Sequence, residues 1–471
     1  MKKGSKQNIK GLMSSLGVKS ILTVLTMLII DNSGYAQGWT TVGSAGFSQG
    51  AVDGFVSITI APDGTPYVVY NDNANENKAT VMKDSSDVWV NVGSPGFSAG
   101  SASLPTIAVD GSGNLYVAYT DSLYGNKGVV MKYSSGNWEP IGGAYFSDTD
   151  VYSTSIAIGL NDTPYLACVD FAYGQGAAVV RKFDGSNWVI VGGGPCSAGS
   201  VGWTSIAIGQ DGIPYVAYQD DTNDGKATVM KYTGGAWASV GSPGFSIYYA
   251  EYPSVAIGPN DTLYVAYSDI YYGGYSTVMK FNGSAWVAVG NPGFSAGPGS
   301  GYTNWIAVDG CGTPYVVSTD NDNSETFVMK YIDGGWATVG GNIGYSTVVD
   351  EGNTALAIDG NGVPYVAYID TTEGNRATVV TTTTGICNTG VPVVTSIANW
   401  QIYPNPATTE VTVSCEQGVG EVVICNVLGQ TVASPRPSAG EREVLHADIS
   451  ELPPGVYFVQ MNGQAKKFVK E

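Results

Sequence analysis

The sequence predicts an all-β chain: a seven-bladed β-propeller followed by a small β-sandwich. Three observations predict it. A tyrosine recurs in a PYVAY-like element at Tyr67, Tyr116, Tyr165, Tyr215, Tyr264, Tyr315 and Tyr365, and a W-x-x-[VI]-G element recurs at Trp39, Trp89, Trp138, Trp188, Trp237, Trp286 and Trp336, both in steps of 49 to 51 residues. Each copy holds four short β-like runs; in the fourth these are "SIAI" (205–208), "PYVAY" (214–218), "KATVMKY" (226–232) and "WASVG" (237–241). The composition agrees, with 64 Gly and 30 Tyr in 471 residues and only 13% charged residues, about half the usual share. Tight turns and short strands use such residues, and helices do not.

In chain order, "MKKGSKQNIKGLMSSLGVKSILTVLTMLIIDNSGYAQ" comes first. Lys2, Lys3, Lys6, Lys10 and Lys19 precede an apolar run from Ile21 to Ile30, and small residues lead to Ala36. This reads as a secretory signal, residues 1–36, removed after Ala36. The run is shorter than the ~20 residues a bilayer span needs, so no transmembrane segment is expected in the mature chain. Export makes disulfides permissible for the six cysteines.

The repeats occupy 37–385. A tight Asp-Gly turn joins the first two runs of the fourth copy and a Gly-Gly turn the last two, as in hairpins. Four strands per repeat and one Trp per repeat indicate a propeller blade. The chain opens on a lone Trp strand at 39–43 and its last repeat lacks a Trp, so the first strand is expected beside Arg376–Thr381, closing the ring. With "SIAI" innermost, the short turns share one face and the long, variable loops the other. A function is expected on the long loops.

Several chemistries are excluded or weakened. The formal net charge of −19 argues against nucleic acid, which needs clustered Lys and Arg. The single histidine, His446, lies outside the repeats, so a His-based triad or a typical zinc centre is not expected there. Arg181 and Arg376 are the only arginines of the ring, too few for a sialidase-type arginine triad, and no sialidase-type Asp-box occurs. An aspartate follows each PYVAY element by two residues (Asp72, Asp121, Asp170, Asp220, Asp269, Asp320 and Asp370). Recurrence in all seven copies favours a turn-fixing role over an active site. No cofactor and no metal site is expected, with calcium the alternative at "DNDNSE" (320–325) or "DDTNDG" (220–225), neither of which has the EF-hand spacing.

The expected ligand-binding residues are aromatic: Phe55, Tyr152, Trp203, Tyr252 and Tyr302, each just ahead of an innermost strand. Rings with neighbouring Asn and Asp can stack on and hydrogen-bond a sugar or an extended peptide; the alternative is packing between blades. In the third repeat Cys168 replaces the usual Tyr and Cys196 the usual Phe, so a Cys168–Cys196 disulfide is expected, with Cys311–Cys387 and Cys415–Cys425 as the remaining pairs.

A linker at 386–399 leads to a module at 400–471 with "YPNP", "NVLGQ", "LPPGVYFV" and a basic terminal strand. Taken in order, these motifs resemble the type A C-terminal sorting domain of type IX secretion. The resemblance implies an immunoglobulin-like sandwich, a partnership with the type IX secretion machinery, and a protein secreted or displayed on the outer surface of a Gram-negative bacterium. For the ring, non-catalytic binding of a surface glycan or a protein is the leading expectation. A polysaccharide-degrading enzyme using loop carboxylates and a structural surface component are the rivals.

Overall fold

A computed structural model describes residues 38–295, 304–320, 324–345, 354–382, 400–415, 422–426, 431–433, 444–461 and 464–471. The expected signal segment at 1–36 and the expected linker at 386–399 lie outside the described residues. Seven four-stranded antiparallel sheets form the blades of the propeller. Six are built from four consecutive strands each; blade 4, for example, comprises Val201–Ile208, Pro214–Asp220, Lys226–Thr233 and Ala236–Ser239. Its second strand is buried at every residue, because both faces of the sheet meet a neighbouring blade. One hydrophobic cluster accordingly joins Val69, Ala79 and Val81 of blade 1 to Val117, Tyr119 and Val129 of blade 2.

Blade 7 combines Thr354–Ile358, Pro364–Asp370 and Arg376–Thr381 with the N-terminal strand Thr40–Thr41. Thr40 pairs with Thr381 and Thr41 with Val380, so the ring closes as the repeat phase requires.

The W-x-x-[VI]-G element has a tertiary explanation. Each indole N–H donates to a carbonyl of the preceding blade's outer segment, from Trp89 to Val42 (2.8 Å), Trp138 to Val92 (2.7 Å) and so on to Trp39, which reaches Val339 (2.8 Å). The same bond recurs at Trp188, Trp237, Trp286 and Trp336. The glycine that follows lies under the next indole: at Gly142 φ is +75°, and a Cβ there would approach Trp188 Cδ1 to 2.5 Å. Both constraints require glycine. In four blades a phenylalanine stacks on the same indole, as Phe294 does on Trp336 at 3.8 Å.

Blade 3 departs from this pattern, and the expected Cys168–Cys196 disulfide is not formed: both thiols are free and buried. Cys168 packs with Phe146, Val151 and Val179, whereas Cys196 joins the cluster of Val201 and Tyr218 from blade 4. The two cysteines serve different interblade interfaces, one on each side of a blade a single sheet thick. Arg181 fills the space left by the missing tyrosine, with its guanidinium 2.5 Å from Asp170, 3.4 Å from the Cys168 sulfur and 5.3 Å from the Phe146 ring. Burial pushes the Cys168 thiol up to about 12 and raises that of Cys196 as well, so neither is expected to form thiolate at neutral pH. Alkylation in native buffer should therefore leave both untouched, and alkylation after unfolding without reductant should label both. Recovery of either in a disulfide would overturn this arrangement.

Cys425 is also free, so the expected Cys415–Cys425 pair is not present either. Cys311 is disulfide-bonded; by elimination its partner is Cys387 or Cys415, and Cys387 lies outside the described residues.

The C-terminal module is a β-sandwich. One sheet holds Trp400–Tyr403, Glu410–Cys415 and Val444–Asp448; the other holds Thr431–Ala433, Val422–Asn426, Gly455–Met461 and Gln464–Lys470. Between them Val411, Val413, Val422, Ile424, Val459 and Phe468 are fully buried.

Candidate functional site

The recurring aspartates are structural. Asp220 accepts from the Thr222 N–H (3.1 Å), the Asn223 amide (2.8 Å) and the Thr228 hydroxyl (2.8 Å), capping a one-turn helix in the loop. Asp72, Asp121, Asp269 and Asp370 also cap such turns. Blade 3 has valine in place of the threonine, at Val179 opposite Cys168, and Arg181 takes over the second carboxylate oxygen of Asp170. Among the described residues no three His, Cys, Asp or Glu come together in a way that could hold a metal ion.

The first strands of successive blades adjoin around the centre of the ring and are stitched together by serines. Ser155 accepts from the Ile206 N–H (3.2 Å) and Ser205 from the Val255 N–H (3.1 Å). At its head each of these strands carries a register shift, as between Gly202 and Thr204 or between Glu251 and Ser254. The bulged residue takes a left-handed backbone: Leu104 (φ 52°), Ser153 (53°), Trp203 (42°) and Tyr252 (51°). Blade 1 holds one residue more, with Gly54 (φ 87°) taking the left-handed conformation and Phe55 following it.

These bulges sort the expected site residues. Trp203 and Tyr252 are equivalent, and Phe55 matches them counted from the strand. Tyr152 stands one position earlier, opposite Val169, where Gly202 and Glu251 stand in the next blades. Tyr302 lies outside the described residues. All four described rings fall inside the strands' bounds and not ahead of them, because the strand resumes pairing beyond the bulge. Three of the rings touch in sequence: Tyr152 and Trp203 at 4.9 Å between centroids, Trp203 and Tyr252 at 4.3 Å. Each is half-buried, leaving part of its surface to solvent.

Phe55, Trp203 and Tyr252 border a depression at the centre of the ring, lined also by Leu104, Asn304 and Trp305 among others; Tyr152 lies outside the lining and touches it through Trp203. The aromatic surface continues outward on blade 5, where Tyr248 and Tyr271 are 55% and 60% exposed and the Ile270 N–H bonds to the Tyr249 carbonyl (3.3 Å).

Sequence reasoning missed one residue of the lining, Trp305, and one next to the lining residue Tyr252, Glu251. Trp305 occupies, by register, the position of Ser57, Ser155, Ser205 and Ser254; a Trp among small hydroxyl residues was the available signal. Glu251, beside Tyr252, is half-buried, and burial raises its carboxyl above the usual range. The only hint was its place in "YYAEYP".

Residues 401–471 match the family described as secretion system C-terminal sorting domain. The chain thus carries a type IX sorting domain, which directs secretion and surface attachment in Gram-negative Bacteroidetes. Among the described residues no helix is long and apolar enough to cross a membrane. No curated protein matches the chain in sequence. Among solved structures, a lectin from Burkholderia pseudomallei superposes with a TM-score of 0.54 at 15% identity, over 71% of this chain and 97% of that one. A fucose-specific lectin from Aleuria aurantia gives a TM-score of 0.44 at 14% identity, over 61% and 96% of the two chains. PorZ, a surface component of the type IX secretion system of Porphyromonas gingivalis, gives 0.42 at 14%, over 91% and 61%.

Proposed function

We propose that the exported ring is a non-catalytic, lectin-like binding module whose ligand stacks on the aromatic rim of the central depression. One observation carries this reading: Trp203 and Tyr252, in ring contact at 4.3 Å, both sit in a left-handed backbone. That conformation strains a bulky residue by about 1–2 kcal/mol, and Leu104 and Ser153 make the same bend in blades 2 and 3 without an aromatic ring. The scaffold therefore does not demand aromatics here, whereas a stacked ligand does. The likeness to the Burkholderia pseudomallei lectin is one of fold, and the rim geometry supplies the functional argument.

A sugar is favoured over a peptide because the aromatic faces border two buried polar groups with no partner among the described residues, the Thr106 hydroxyl and Asn304 Nδ2. Rings for stacking beside unmatched polar groups suit a polyol. The test is a glycan array probed with the whole chain, followed by analysis of the bound glycans for cleavage. Binding without turnover is the expected result. Released product would replace this reading with an enzyme, and an empty array would turn the search to protein ligands.

A further inference from the structure

We propose that Glu251 and Asn304, on the two sides of the interface of blades 5 and 6, form the polar part of the rim site and restrict it to neutral sugars. This rests on the rim being a sugar site, and it adds which sugars are accepted and which are refused.

Register sets the two residues on the same interface. Glu251 pairs with Ser268 and Ser268 with Ser276, so the three side chains share one face of blade 5. On that face the Ser276 hydroxyl lies 2.6 Å from Asn304 Oδ1 of blade 6. Ser268 is spent on the Gly274 carbonyl at 3.0 Å. The carboxylate of Glu251 has no hydrogen-bond or ion-pair partner among the described residues, and it is half-buried beside Tyr252. Asn304 is 3% exposed and borders the depression, and its Nδ2 is a buried donor with no partner. Blade 4 resolves the same place differently: Gly202 stands opposite Gln219, whose Oε1 would lie 2.2 Å from a Cβ at 202. The acceptor at 251 is thus a feature of blade 5 and not of the repeat.

An acceptor and a donor that are unpaired among the described residues, on one interface next to a stacking platform, are what a sugar hydroxyl satisfies, because it donates and accepts at once. Leaving such groups buried and unmatched is unfavourable, so a ligand that completes them is preferred to one that cannot. A carboxylate-bearing sugar cannot, since its charge would face Glu251 with no cation opposite to compensate. Uronic and sialic acids are therefore refused, and sugars with uncharged hydroxyls are accepted.

The test is calorimetric titration of the whole chain with maltohexaose, cellohexaose, mannohexaose and chitohexaose, and with hexagalacturonate and sialyllactose as acidic probes. At least one neutral probe should bind and neither acidic probe should. Glu251→Gln should weaken the neutral interaction about tenfold, the usual cost of losing a hydrogen bond to a charged group, and narrow the gap to the acidic probes. Its melting temperature should not fall, because no protein partner is lost. If Trp203→Ala abolishes binding but Glu251→Gln changes neither affinity nor the neutral-to-acidic ratio, the rim reading stands and this assignment is wrong. Tight binding of an acidic probe by the wild type also overturns it. If no probe binds, the sugar reading fails and this assignment with it.

Discussion

Removal of residues 37–43 lowers the melting temperature by about 5–10 °C and makes the chain self-associate. The deleted strand supplies the fourth strand of blade 7, pairing Thr40 with Thr381 and Thr41 with Val380. It also supplies the Val42 N–H to the Val379 carbonyl (2.9 Å) and the Trp39 indole to the Val339 carbonyl (2.8 Å), and its Val42 carbonyl receives the Trp89 indole (2.8 Å). Hydrogen bonds of this kind contribute about 0.5–1.5 kcal/mol each, and burial of the Trp39 ring adds to them. In a ring of about 350 residues each kcal/mol moves the midpoint by only about 1–2 °C, which gives the expected shift. The exposed Arg376–Thr381 edge would then be open to another chain. Holding ends more than three hundred residues apart costs little extra for its length, since closure entropy grows only logarithmically. A deletion variant with the wild-type midpoint would show that the ring closes by other means.

Replacing Trp203 by alanine weakens ligand binding at least several-fold, and replacing Tyr252 as well removes most of the rest. Stacked rings contribute about 0.5–1.5 kcal/mol beyond the area they bury, and Trp203 is the middle ring, touching both Tyr152 and Tyr252. A loss of fold must be separated from a loss of function, and the backbone offers the means. Trp203→Gly removes the same ring while relieving the left-handed strain at φ 42°, so it should bind as poorly as the alanine variant and melt no lower. Lys231→Ala serves as the control. Lys231 pairs with Tyr215 near the short-turn end of its strands, away from the rim, and its loss should leave affinity unchanged. If both Trp203 variants unfold the ring, or both keep full affinity for a glycan the wild type binds, the rim is structural packing.

The sequence by itself determined the number of blades, the four strands in each, the closure by the first strand and the destination of the protein. These depend on local chemistry repeated seven times: Gly-containing turns that enforce hairpins, and a Trp–Gly pair that each blade uses against the next. The sorting domain was equally legible, because four short motifs occur in order within seventy-one matched residues. The turn-fixing role of the aspartates could be read as well, since Asp220 and its equivalents act on their own loops.

Only the tertiary structure decided which side chains meet. Cys168 and Cys196 share a repeat and replace aromatic residues together, yet a blade is one sheet thick and the two serve opposite interfaces. The rim was legible as a set of aromatics but not as an arrangement. A single bulged residue reverses which face the following side chain takes, so Tyr152 and Trp203 meet from non-equivalent positions. Trp305 and Glu251 were invisible for the same reason: their meaning lies in the cross-strand register and in the neighbouring blade. Periodicity along the chain is enforced by local backbone chemistry and can be read residue by residue. Contacts between blades depend on register and handedness at each strand head, which the folded ring alone specifies.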